Sequence, residues 1–176
     1  MLLIIEGMDN CGKSTLINQL RKEYFTRPRT IVHHSSSPPN DTDMPDLWES
    51  RHYDDLFSTF KELVEHDMYD VLLDRFHLGA IVYGAKYRRS PPGPIRSIDE
   101  HHLSDYKNAA LLLLTDSYDG IMERDDGNSI EQSIEEYEDV RGRFKLAFKD
   151  SVCVNKLHID IRNDVGTIDK VLPTVL

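Results

Sequence analysis

Apolar residues follow two rhythms along this chain. Short dense runs at residues 2–5, 30–34, 70–73, 109–115 and 152–161 alternate with stretches in which apolar positions recur every three or four residues. The dense runs predict buried strands, and the 3.6-residue recurrence predicts amphipathic helices. Residues 14–24 carry Leu16, Ile17, Leu20 and Tyr24 on one stripe, with Arg21 and Lys22 off it. Residues 47–68 repeat the pattern with Leu56, Phe57, Phe60, Leu63 and Val64, and Ile134, Tyr137, Val140, Phe144 and Phe148 mark a later long helix. Shorter helices are expected over 76–89, 99–107, 118–124 and 165–176, the first of them stopped by the Ser-Pro-Pro-Gly-Pro segment 90–94.

Strands separated by helices imply a parallel sheet covered on both faces, a three-layer α/β/α architecture. Ligands of such sheets sit beyond the carboxyl ends of the strands. No repeat and no linker divides residues 1–176, so one domain is expected.

The polar residues that interrupt this pattern carry the chemistry. Gly7-Met8-Asp9-Asn10-Cys11-Gly12-Lys13-Ser14 matches GxxxxGK[ST] between the first expected strand and the first expected helix, the context that motif requires. Chance alone gives the pattern in roughly one chain in a hundred of this length, and the flanks make it rarer. A tight glycine turn can point successive N–H groups inward, and the following helix N-terminus adds a favourable field for anions. Gly7, Asn10, Cys11, Gly12, Lys13, Ser14 and Thr15 are therefore expected to hold the phosphates of a nucleoside triphosphate. Lys13 reaches the β and γ phosphates and the Ser14 hydroxyl ligates Mg²⁺. The fold class that follows is a P-loop NTPase of the nucleotide-kinase type.

The segment Glu-Gly-Met-Asp-Asn-Cys-Gly-Lys-Ser-Thr at 6–15, together with Asp74-Arg75-Phe76 and Tyr83, resembles the thymidylate kinases and the related viral deoxynucleoside and deoxynucleotide kinases. The stretch from Asp74 to Arg88 is closest in style to the viral (phage) members. The resemblance implies roles for particular residues. Asp9 would lie beside the sugar 3′-hydroxyl of the acceptor, Asp74 would associate with Mg²⁺, and Arg75 would clamp phosphoryl oxygens. Phe76 and Tyr83 would face the acceptor base, and Arg51 sits within a residue or two of an acceptor-phosphate arginine. Arg124 would open a short lid near 124–131. Independently of the resemblance, His34 ends a strand at the active edge and is expected near the substrate. Gly79 and Gly84 stand where the family places a serine and a glutamine for thymine, and the lid lacks the bacterial arginines, leaving Arg124, Lys86, Arg88 or Arg89 for that work.

Composition narrows the partners. With 31 acidic against 21 basic residues the net charge is −10, which opposes a general nucleic-acid binder and suits a small nucleotide or nucleoside as acceptor. The two cysteines, Cys11 and Cys153, show no zinc or disulfide spacing, which favours a reducing cytoplasmic setting, the host's if the protein is viral. No apolar run approaches the ~20 residues of a membrane span. The pairs His33-His34 and His101-His102 lack chelating geometry. The expected activity is ATP- and Mg²⁺-dependent phosphorylation of a deoxynucleoside monophosphate of the dTMP type. The alternatives are a deoxynucleoside kinase, a kinase of a modified base in DNA, and a nucleotide switch; for the last, Asn155-Lys156-Leu157-His158 misses the guanine signature NKxD by its final residue. A homodimer is implied by analogy with thymidylate kinases.

Overall fold

Five strands form one parallel sheet in the order β2-β3-β1-β4-β5, where β1 is Leu2–Gly7, β2 Thr30–His34, β3 Asp70–Asp74, β4 Ala109–Thr115 and β5 Asn155–Asp160. The computed structural model describes residues 1–25, 28–35, 38, 44–88, 91–125, 127 and 133–162. Parallel pairing needs a crossover between neighbours, and the helices supply it. They are α1 (Lys13–Glu23), α2 (Pro45–Glu65), α3 (His77–Tyr83), α4 (Gly93–Ile98), α5 (Tyr118–Met122) and α6 (Ile134–Asp150). The P-loop NTPase α/β class read from the sequence is the one observed.

Burial explains the apolar runs. β1 and β4 are buried along their whole length, because helices cover both faces of the sheet centre. β2 and β5 are edge strands, only partly buried, and their sequences are correspondingly mixed. The stripes of α1 (Leu16, Ile17, Leu20), α2 (Tyr53, Phe57, Phe60, Val64) and α6 (Tyr137, Val140, Phe144, Ala147) close the core. Each such Leu, Ile or Phe stabilises the fold by roughly 1.5–3 kcal/mol on leaving water.

Three expected elements differ. The helix expected over 76–89 is α3 followed by a π-turn, Gly84–Arg88. The helix expected at 99–107 starts earlier, at Gly93, because Pro94 sits in its first turn, where a missing N–H costs nothing; it continues as a π-turn, Asp99–Leu103. The strand expected over 152–161 begins only at Asn155: the Val152 N–H is donated to Asp99 and that of Cys153 to the Ser151 hydroxyl, not to a neighbouring strand. The helix expected at 165–176 lies outside the described residues.

The register fixes the site. Ile5 of β1 and His34 of β2 both pair with Asp74 of β3, so three strands end together at one edge.

Candidate active site

The loop leaving β1 curls because three of its residues take left-handed or related conformations. Gly7 has φ 144°, Asn10 55° and Gly12 81°. At Gly7 a Cβ would sit 2.4 Å from the Leu114 carbonyl oxygen and 2.7 Å from Cys11 Sγ, so only glycine fits. α1 begins at Lys13 directly after Gly12, which aims a helix N-terminus into the curl. Lys13 is buried, and its ammonium donates to the carbonyls of Gly7, at 3.1 Å, and Met8. Ser14 and Thr15 are exposed at the start of α1. The Cys11 thiol donates to Met8 O at 3.0 Å, and burial pushes its pKa up, so it packs the loop as a neutral small side chain.

Glu6, the residue before the loop, is wholly buried and was given no role in the sequence reading. Its Oε1 accepts from the N–H groups of Phe76 (2.9 Å) and Leu78 (2.8 Å), and its Oε2 from that of Gly79 (3.2 Å). Phe76 brings no side-chain cap to α3, so Glu6 takes the orphan donors of that helix from across the sheet. A Cβ at Gly79 would sit 3.4 Å from Glu6 Oε2, an ordinary packing contact. Burial raises the Glu6 pKa, against the opposing pull of His77, those amides and Arg75.

Beyond β3 the chain turns sharply. Arg75 has φ 65°, a costly conformation for a side-chain-bearing residue, held by its N–H to Ile5 O (2.9 Å) and by the Ser35 hydroxyl on its carbonyl. That turn sends the Arg75 guanidinium back onto the Asp9 carboxylate of the phosphate loop. Asp74 Oδ2 meets His34 Nδ1 at 2.9 Å, while its Oδ1 is buried without a hydrogen-bond partner among the described residues. An orphaned carboxylate oxygen beside the phosphate-loop strand, with the exposed Ser14 hydroxyl, is a donor set that suits a Mg²⁺ completed by waters and phosphate oxygens.

A cleft of about 120 Å³ opens on the other side of Arg75, lined by Ser35, Glu49, Tyr53, Arg75, Phe76, Gly79, Ala80, Tyr83 and Arg88. Phe76 and Tyr83 are both in that lining. Tyr83 is packed against Tyr87 and, edge-on, Phe144. Burial, reinforced by the Glu49 charge, pushes the Tyr53 hydroxyl pKa upward and keeps it a donor. The structure does not bring Arg51 to the cleft. It is exposed on α2, two residues from both Glu49 and Tyr53 and so on the opposite side of the helix. Lys86 pairs with Asp139 of α6 instead of facing the cleft, and Arg89 lies outside the described residues.

Arg124 caps the phosphate loop from above. Its Nε donates to Asn10 O at 2.9 Å, and its Nη2 pairs with the buried Asp116, which also meets Arg162 at 3.4 Å. Asn10 Nδ2 donates to Asp125 at 3.0 Å, so the start of the expected lid rests on the loop. Of that lid, 126 and 128–131 lie outside the described residues. The near-guanine signature is structural: Asn155 donates to the Lys107 and Ala109 carbonyls, and Lys156 to those of Phe148, Lys149 and Ser151. It begins β5, at the edge away from the phosphate loop. The histidine pairs are similarly dispersed, and no group of three metal-ligating side chains occurs among the described residues.

No protein-family model and no curated protein sequence matches the chain. Solved structures do. The YorR protein of Bacillus subtilis, solved in complex with phosphorylated GDP, is 21% identical with a TM-score of 0.63, covering 99% of this chain and 95% of that one. The thymidylate kinase of Ehrlichia chaffeensis is 16% identical with a TM-score of 0.60, covering 98% of each chain. The thymidylate kinase of Candida albicans is 19% identical with a TM-score of 0.56, covering 98% of this chain and 91% of that one. At such identities the likeness is one of fold: the chain has the architecture of the thymidylate kinases.

Proposed function

We propose that the chain is a phosphotransferase that moves the γ-phosphoryl of ATP onto a deoxynucleoside monophosphate. The observation that carries this reading is the Asp9–Arg75 ion pair, which joins the phosphate loop to the cleft beyond β3. The donor cradle and the cleft then share one cation at their junction.

ATP phosphates take the inward N–H groups of 7–14, and the Lys13 ammonium exchanges the Gly7 and Met8 carbonyls for phosphoryl oxygens. The acceptor lies in the cleft with its phosphate toward Arg75 and its sugar toward Asp9. An acceptor phosphate oxygen is already a nucleophile, so no general base is required; positioning and charge neutralisation do the catalysis. Mg²⁺, held by Ser14 and Asp74, would neutralise the β and γ oxygens when bound. Arg124 covers the donor side, where its guanidinium would help to neutralise the transferring phosphoryl group.

The thymidylate kinase neighbours and a YorR structure holding phosphorylated GDP support a nucleotide kinase. The net charge of −10 weighs against a base within DNA as acceptor. The structural use of Asn155 and Lys156 weighs against a guanine-reading switch. The experiment is to supply ATP and Mg²⁺ with a panel of nucleosides, monophosphates and modified DNA and to separate the products. A diphosphate formed one-for-one with ADP from a monophosphate is expected; product from nucleosides or DNA alone contradicts the reading.

A further inference from the structure

We propose that Glu49 and Arg88 read the acceptor base, and that they select bases bearing an exocyclic amino group over thymine and uracil. The inference rests on the kinase reading of the cleft. The cleft has two chemically distinct ends. Arg75 and Ser35 stand at the phosphate-loop end. Arg88 closes the π-turn that continues α3, 13 positions beyond Arg75, which lies in the turn before that helix. Its Nη2 meets Glu49 Oε1 at 2.5 Å. Between the ends run Phe76, Gly79, Ala80 and Tyr83, an aromatic and small-residue wall suited to the face of a base. A mononucleotide has the same polarity: an anion at one end and a base edge at the other.

The pair at the far end is an acceptor beside a donor. A carboxylate only accepts hydrogen bonds and a guanidinium only donates them. An amino-bearing base supplies the complement. Guanine offers its N1–H and amino group to Glu49 and its O6 to Arg88; cytosine and adenine offer an amino group to Glu49 and a ring nitrogen to Arg88. Thymine and uracil offer a single N3–H flanked by two carbonyl oxygens, which the carboxylate repels. Glu49 is only 1% exposed, so water cannot mask that mismatch. Gly79, in the same cleft, brings no side chain to the base.

The test compares kcat/KM for dGMP, dCMP, dAMP, dTMP and dUMP with ATP and Mg²⁺, in the natural chain and in Glu49→Gln, with calorimetric affinities for the same monophosphates. The natural chain is expected to favour one or more amino-bearing acceptors by at least about tenfold over dTMP and dUMP, and the best arm names the base. Glutamine can both donate and accept, so Glu49→Gln is expected to shrink that preference about tenfold, chiefly through KM. A natural preference for dTMP or dUMP overturns the inference without a variant, and so does an equal loss for every base in Glu49→Gln. If no monophosphate is bound or phosphorylated, the kinase reading itself fails and the inference falls with it.

Discussion

On the proposed reading the two halves of the site would bind by different means. In the phosphate loop the backbone would do the binding. Its shape comes from positive φ at Gly7, Asn10 and Gly12, a helix N-terminus follows it directly, and the Lys13 ammonium is folded onto its Gly7 and Met8 carbonyls. In the acceptor cleft side chains would do it. Ser35 follows β2, Glu49 and Tyr53 lie on α2, Arg75 follows β3 and Arg88 ends the π-turn, with Glu49 and Arg88 joined in an ion pair. A backbone cradle suits a ligand part that never varies, the polyphosphate. A side-chain cleft can change specificity one residue at a time while the scaffold stays fixed. Glu6 links the two, ending β1 on one side and capping α3 on the other.

Substitutions at three residues probe this division. Lys13→Ala should lower kcat by about 10³-fold or more through lost charge stabilisation, while acceptor affinity measured by calorimetry stays within about twofold. An equal loss of acceptor binding would break the separation between the halves. Glu6→Ala should strand three buried N–H groups and destabilise the fold by roughly 3 kcal/mol in urea unfolding, with the acceptor KM rising more than that for ATP. The pH dependence follows from the same residue. Burial holds the folded Glu6 pKa above its ordinary 4.5, so the folded chain binds more protons than the unfolded one between those values. Its contribution to stability therefore falls as pH rises through that window, and Glu6→Gln should remove that slope. Arg124→Ala should have the smallest effect, about a tenfold fall in turnover with little change in acceptor KM, read from initial rates. A change confined to acceptor KM would move Arg124 to the other half.

The same division decided what could be read from the sequence. The loop was legible because its residues are consecutive and its conformation is demanded by glycines between a strand and a helix. The strands β2 and β4 were legible to the residue, β4 because burial dictates its apolar run and β2, only partly buried, because Thr30-Ile31-Val32 is a β-branched run. The cleft was only half legible. Phe76 and Tyr83 came from the resemblance to the thymidylate kinases around Asp74-Arg75, and both line the cleft. Glu49 and Arg88 lie 39 positions apart and meet only because α2 packs beside the π-turn. Glu49 reads locally as one more acidic residue in a charged helix. Arg51 drew attention as the nearest arginine, yet helical phase turns it away from Glu49 and Tyr53. Glu6 had a signal that went unused: an ionisable residue completing a buried apolar run must find donors, and the nearest unsatisfied ones belong to the next helix at that sheet edge.

The measurement that bears most directly on the central claim is a product balance. With ATP, Mg²⁺ and a single deoxynucleoside monophosphate, the account predicts one deoxynucleoside diphosphate for every ADP, and almost no ADP when the acceptor is withheld. ADP formed at the same rate with and without acceptor, with no phosphorylated product, would contradict it.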